Sequence, residues 1–397
     1  MAETRLIYDP YGAQAHADPY PIYRRLRDEA PLYHNPDRGF WAVSRYDDVA
    51  MVSRDWERFT VTKGVDIDNA GDLLGPGFFL AQDPPVHGKM RAVVKQAFGL
   101  RTIRDLTEAG IRREAEALVA DIAVRPEADL AVDLAWLLPS RAMGVLLGFP
   151  REDADRLRDL GIAFMRREVD QTVPPASSEE AGMALMEYFE VIIDERRRAP
   201  RDDLLSAIAT ATIDGVPLAG EAPGMALLIY VGGFENVGCM LTNALYWLAL
   251  HPDQRTWLAA NPDGLPAAIE EVLRFDGPQQ SFKRTTTQAV ELHGRRVPAG
   301  APVYVLYGAA NRDERKFPDA DRFDVHRTGG RQLSFGDGIH HCLGAPMARL
   351  EGQIVLETVL RRMPHYELTG EPELAPSHAV RGFLTMPVAP ACSPAAA

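Results

Sequence analysis

Through most of the chain, apolar positions recur at three- and four-residue intervals, the spacing that lines up one face of a helix. Asp47–Arg54, His87–Phe98, Ile103–Val124, Asp153–Arg167, Ser178–Arg198 and Asp202–Ala211 carry this period, as do Pro266–Phe275 and Pro346–Arg362. The longest such segment runs from about Ala222 to Leu250 and stops at His251–Pro252, because proline cannot continue a helix. Apolar runs at Phe40–Val43, Val290–Leu292 and Pro302–Leu306 read as strands. Two stretches break the pattern. Thr60–Phe79 has many Gly and Asp residues, and Asn311–Gly338 has almost no regular period; loops that long inside a compact domain usually carry function. The N-terminal stretch to about Pro36 is rich in Pro and Tyr. With no repeat and no low-complexity linker, the expectation is a mainly α chain with small β-sheets, in one domain spanning 1–397.

Composition narrows the function. Hydrophobic residues make up 46% and charged residues 25% of the 397, the balance of a folded chain with enough apolar material to bury a cofactor whole. A formal net charge of −13 argues against non-specific nucleic-acid binding, which needs a basic surface. Met1–Pro10 has no apolar core of a signal peptide or anchor, and the most apolar stretch, Met225–Val231, is too short to cross a bilayer. A cytoplasmic protein without a membrane partner is expected.

Cys239, Cys342 and Cys392 are the only cysteines, without a CxxC pair, so they form neither a disulfide framework nor a zinc ribbon. One of them sits in a special setting: Phe335, Gly338, His340, Cys342 and Gly344 fall at F-x-x-G-x-[HR]-x-C-x-G spacing. A thiolate bound to iron needs backbone N–H groups aimed at sulfur, and glycines permit that turn. A helix beginning near Pro346 adds its positive end beside the anionic sulfur. Phe335 can cover the ligand, and His340 can reach a carboxylate of a cofactor. Other readings are weaker. A phosphate loop would need a following Gly-Lys-Ser/Thr, and zinc bound by His340, His341 and Cys342 would lack an obvious fourth ligand.

With these residues in place, the chain resembles the cytochrome P450 superfamily over nearly its whole length. Glu271-Val272-Leu273-Arg274, 71 residues before Cys342, matches the family's Glu-x-x-Arg element, whose two charged groups share a helix face. In the family this pair is joined by an arginine of the downstream irregular segment, which Arg322 matches. Ala310-Asn311-Arg312-Asp313 and Phe317-Pro318 match the lead into that segment. The resemblance implies haem b, with Cys342 as the iron ligand and the thiolate favouring O–O cleavage. It further implies that His87, Arg91, Arg284 and His340 hold the haem propionates, a set of donors that a buried, doubly anionic cofactor requires.

The long helix departs from the family. Its centre reads Ala-Gly-x-Asp/Glu-Thr-Thr/Ser in relatives, where the acid and the threonine manage protons. Here it is Gly232-Gly233-Phe234-Glu235-Asn236-Val237, with the acid kept and an asparagine in place of the hydroxyl. Consecutive glycines are expected to loosen the helical ladder and open a groove. An amide orders a water but does not readily pass on a proton. Three readings follow. Asn236 organises a water for ordinary oxygenation, the favoured one; the substrate supplies the missing hydroxyl; or the reaction is a coupling, ring closure or nitrogen transfer. From another class, a haem-binding sensor without turnover would need neither Glu235 nor a roomy pocket.

By resemblance, the Thr60–Phe79 loop, Met165–Met186, Tyr230–Phe234, Gln279–Phe282 and Phe383–Met386 would line the substrate pocket. Phe78, Phe79, Phe234, Phe282 and Phe383 would make it aromatic, suiting a medium-sized organic molecule. Gln279, Gln280 and Ser281 would orient it. Electrons would come from a separate ferredoxin and ferredoxin reductase. Lys89, Lys95, Arg101, Arg104, Arg112, Arg113 and Arg349 are candidates for a basic docking face, and equally for ordinary solvated charges.

Overall fold

The computed structural model describes residues 6–67, 77–99, 103 and 107–390. Helices α1 (Tyr20–Glu29) and α2 (Tyr46–Arg54) alternate with the first strands. They are followed by α3 (Val86–Lys95), α4 (Ala109–Ala123), α5 (Leu137–Leu147), α6 (Ala154–Met165) and α7 (Ala176–Arg198). The long α8 (Glu221–Leu250) comes next, then α9 (Leu265–Asp276) and, after the irregular segment, α10 (Ala345–Arg362). The expected helices are present, with ends moved by a few residues. His87–Phe98 stops at Lys95, and Ile103–Val124 holds the helix Ala109–Ala123. Asp202–Ala211 contracts to Leu204–Ala209, where the Asp203 carboxylate accepts from Ser206 N–H at 2.7 Å and caps the helix.

Helix α8 packs against α5, α7, α9 and α10 and so forms the axis of the largest core cluster. It is apolar on all sides, the composition of a helix buried all round. By length and composition it could cross a bilayer, which Met225–Val231 alone could not, but 78% of its most apolar stretch is buried inside the protein. The expected loosening at Gly232-Gly233 does not occur: the helix runs unbroken through both glycines.

A five-stranded sheet stands beside the helices. Its strands are β1 (Leu32–Asn35), β2 (Phe40–Val43), β3 (Phe59–Thr60), β4 (Ser281–Thr286) and β5 (Pro302–Leu306), in the order β1-β2-β5-β4-β3. Only β2 and β5 pair in parallel. Val303 on β5 faces Arg284 on β4, so the sheet register sets where Arg284 stands.

Strand β4 and helix α5 carry no clear signal in the sequence; helix α1 does, with Ile22, Tyr23 and Leu26 buried on one face at helical spacing. Strand β4 is almost entirely buried although five of its six residues are polar, so no apolar alternation marks it. Helix α5 buries nearly every residue and lacks a polar face; Pro139 is tolerated in its first turn, and Gly148 ends it at φ 95°.

The pair Glu271–Arg274 lies at the heart of the α9 region, both side chains at 2% exposure or less. Arg274 donates to the Glu271 carboxylate at 2.7 and 2.8 Å and to the carbonyls of Asn311, Ala320 and Arg322. The arginine that completes the cluster is Arg327, at 3.1 Å from Glu271, and the expectation for Arg322 is corrected. The chain turns at Asp324, with Arg327 N–H donating to its carbonyl, which carries Arg327 back onto the carboxylate. The Arg322 residue is left exposed and contributes its carbonyl.

Candidate active site

The Cys342 loop is held from three directions. Asn311 takes Leu333 N–H at 2.7 Å and donates to Ser334 Oγ, and Ser334 in turn donates to the Leu273 carbonyl of α9. Within the loop, Gly336 N–H donates to Leu333 O, and Cys342 N–H to Phe335 O at 2.8 Å. Asp337 accepts from its neighbour Gly338 N–H and from Arg54 and Arg331, which pins the loop to α2; these partners hold its carboxyl below the usual range despite burial. Gly338 is required twice over: its φ is +69°, and a Cβ there would lie 2.9 Å from Arg54 Cα. Arg349 of α10 is stacked over Phe335 at 4.5 Å and ion-paired with Glu270.

Cys342 keeps an exposed surface and lines a cavity of about 230 Å³. Burial pushes its thiol up, opposed by the N–H of Gly344, the charge of Arg91, the N–H of Ala345 and the charge of Arg349. Gly344 lies where the loop enters α10, so these amides combine with the positive end of that helix.

On the same cavity converge Arg91, Arg284 and His340, with His87 packed on His340 at 4.3 Å between ring centroids. Arg91 and His87 come from one face of α3, four residues apart. Arg91 donates to His341 O at 2.6 Å, and Arg284, almost wholly buried, donates to its neighbour's carbonyl. Both ring nitrogens of His340 are buried without a hydrogen-bond partner. Burial, then Arg284, His87 and Arg91, push its pKa down to about 2. An unpaired imidazole between two guanidinium groups is the environment of an anion, since buried cations and orphaned donors are otherwise costly. The two propionates of a haem whose iron Cys342 would hold would meet that demand, so the residues present fit haem.

Across the cavity stands α8, represented by Leu228, Ile229, Gly232, Gly233, Asn236 and Met240. A Cβ on Gly232 would meet nothing within 4 Å, whereas one on Gly233 would strike Met143 Sδ at 2.3 Å. The glycine pair therefore opens the cavity on one side and admits α5 on the other. Asn236 reaches the cavity wall. Glu235 does not; it is buried beside it, its carboxyl pushed up to about 8 by burial, against the lowering effect of Arg167 and with a further raising effect of Asp66.

Part of the expected pocket is elsewhere. Phe79, Phe282 and Gln279 line the cavity, but Phe78, Phe234 and Phe383 do not. Phe234 stacks on Tyr230 at 5.6 Å, and Phe383 lies tilted against Tyr246 at 4.6 Å, because these aromatics fill the core around α8. Gln280 is engaged with Gly277 O and Tyr20, and no residue of Met165–Met186 lies on the wall. Among the basic candidates, Lys89 pairs with Asp214, Arg112 with Glu108 and Glu357, and Arg349 with Glu270. Arg101 and Arg104 lie outside the described residues, as does part of the Thr60–Phe79 loop. Glu351 of α10 also lines the cavity; its signal in the sequence is its spacing of three and four from Ala348 and Met347 on one helix face.

Known proteins place this arrangement. The cytochrome P450 family model matches residues 264–389. Putative cytochrome P450 123 of Mycobacterium tuberculosis is 38% identical, over 98% of both chains. Mycinamicin IV hydroxylase/epoxidase of Micromonospora griseorubida is 37% identical over 92% of this chain and 94% of its own. The solved structure of a mutant of P450 EryK in complex with erythromycin B superposes with a TM-score of 0.87 at 32% identity, over 97% of this chain and 99% of that one. The chain belongs to the cytochrome P450 family. Its cofactor is accordingly haem b, and it is an oxidoreductase acting with molecular oxygen.

Proposed function

We propose that this P450 oxygenates a medium-sized, largely apolar natural-product molecule, with electrons from a separate ferredoxin and ferredoxin reductase in the cytoplasm. When bound, haem b supplies the oxygen-activating chemistry, and thiolate ligation favours O–O cleavage. The chain's own residues do the rest. Cys342 ligates the iron, with the amides of Gly344 and Ala345 stabilising its charge. His87, Arg91, Arg284 and His340 bind the propionates, and Phe335 and Gly338 shape the loop that shields the sulfur. Asn236 holds a water at the cavity wall, and Glu235, a neutral acid up to about pH 8, stores a proton beside it. The apolar wall of Phe79, Leu80, Leu228, Ile229 and Phe282 excludes water and accepts an apolar ligand. Relatives such as the mycinamicin hydroxylase and the erythromycin B-bound P450 support this substrate class.

The observation that carries the reading is the meeting of Cys342 with an unpaired His340 and two arginines in one cavity. The ferrous–carbon monoxide difference spectrum tests it. A strongly red-shifted Soret band is expected; no haem, or a histidine-type band, would overturn the ligand assignment. The amide at Asn236 favours a second reading, coupling, ring closure or nitrogen transfer, which depends less on ordered protonation.

A further inference from the structure

We propose that the groove at the C-terminal end of α8 is a second ligand site, one that takes a planar aromatic carboxylate. It shares no lining residue with the haem cavity and does not depend on the reaction assigned there.

The groove holds about 1200 Å³ between α1, the last turns of α8, the end of α9 and the hairpin of Glu373–Leu374 and Phe383–Thr385. That is room for a small organic molecule. Its wall is aromatic: Tyr20, Tyr246 and Trp247 stand half-buried on it, together with the buried Phe275, Phe323 and Phe383. Part of the wall is cationic. Arg312 is almost wholly buried, its guanidinium over the rings of Tyr20 at 3.7 Å and Phe275 at 3.5 Å. It donates through Nε to Phe275 O at 2.7 Å and through one Nη to Asp321 at 3.4 Å. The other Nη has no acceptor among the described residues and keeps surface on the groove. Arg322, beside Asp321 on the same wall, is exposed and has no ion pair among the described residues. Its carbonyl, not its guanidinium, serves the Glu271 cluster.

The other charges are largely spent. Asp276 accepts from Tyr20 O–H at 2.5 Å and from Trp247 N–H at 2.9 Å, with Arg381 3.2 Å away. Asp321 is held by Arg24 and Arg312, Arg25 pairs with Glu29, and Asp18 accepts Tyr20 N–H. Glu371 alone among these acids has no partner among the described residues. What the wall leaves unanswered is therefore the open edge of Arg312 and the guanidinium of Arg322. A guanidinium fork matches the two oxygens of a carboxylate, and a cation that is nearly buried favours a fixed anion over water. The half-buried rings beside them accept a flat apolar body by stacking. Repulsion from Glu371 keeps the acid end at Arg312 and Arg322. A purely structural clamp accounts for the stacking of Arg312 but not for its open Nη, nor for three large rings left half-exposed around it.

Calorimetric titration of the haem-loaded full chain with 2-naphthoate tests this, an azole inhibitor filling the haem cavity. The expected result is one saturable site with a dissociation constant on the order of 0.1 mM. The uncharged 2-naphthamide should bind roughly tenfold more weakly. Arg322→Glu should weaken naphthoate by roughly tenfold or more and keep the carbon monoxide spectrum of the wild type. No saturable binding, equal binding of the amide, or unchanged affinity in Arg322→Glu would overturn the proposal. So would sedimentation showing a wild-type dimer that Arg322→Glu dissociates, since a second copy would then fill the groove. Should Arg322→Glu fail to fold, the preference of the wild type for naphthoate over the amide still decides.

Discussion

The Cys342 loop and the stretch of α8 across the cavity are built on opposite principles. The loop is cross-linked by hydrogen bonds to α2, α9 and the irregular segment, and its one carboxylate, Asp337, is paired with Arg54 and Arg331. The α8 wall is apolar, with a single amide on the cavity and a neutral acid buried behind it. One side fixes Cys342, the proposed iron ligand, in a loop that leaves little room for substitution. The other leaves protons and substrate to a few replaceable groups, which is where members of one fold can differ in chemistry.

The largest effect should come from the fixed side. Cys342→Ser is expected to abolish the thiolate-type carbon monoxide spectrum together with turnover; an unchanged spectrum would break the contrast at its root. Next, Arg274→Ala leaves Glu271 buried and short of a partner, with an expected loss of about 3–5 kcal/mol in urea unfolding. A loss below about 1 kcal/mol would show that Arg327 alone satisfies the carboxylate.

On the other side the sign reverses. Glu235 ionises at its ordinary 4.5 when unfolded but only near about 8 when folded, so the unfolded state gains on the native one as pH rises between those values. Glu235→Gln should therefore gain stability relative to wild type from about pH 4.5 upward, levelling off above about pH 8 at a few kcal/mol. Denaturant titrations across that range measure it, and a pH-independent difference would contradict a neutral buried acid.

Smaller still, Arg284→Ala removes one charge-assisted partner of a propionate, worth about 1.5–3 kcal/mol. Haem transfer to an apoglobin acceptor should accelerate roughly ten- to hundredfold by that amount. The smallest change is Asn236→Thr, which should raise the yield of product per reductant a few-fold if oxygenation is the task. A fall in product would point to coupling or nitrogen transfer.

Legibility in the sequence follows the same division. The Cys342 loop was readable because its geometry needs particular residues at short range, and Gly338 shows why: neither its φ nor its clearance from Arg54 allows a side chain. Helix α8 was readable because thirty apolar-rich residues end at a proline. Strand β4 was not, since burial of Lys283, Arg284 and Thr285 depends on neighbours that arrive from β3 and β5. Arg322 and Arg327 are equally plausible partners in the sequence, and only the turn at Asp324 selects between them.

By itself the sequence determined the helical class and the glycine-bounded Cys342 loop, and the resemblance to the family pointed to the candidate propionate ligands and to the amide in place of a hydroxyl. Local spacing suffices for the first two, because each depends on residues within a few turns of chain, but not for the candidate ligands, which come from α3, β4 and the loop. The tertiary structure decided which aromatics line the cavity, that Glu235 stands behind its wall, and that Glu351 stands on it. Those outcomes depend on how α8 rotates against α5 and α10, and packing of side chains distant in sequence sets that rotation.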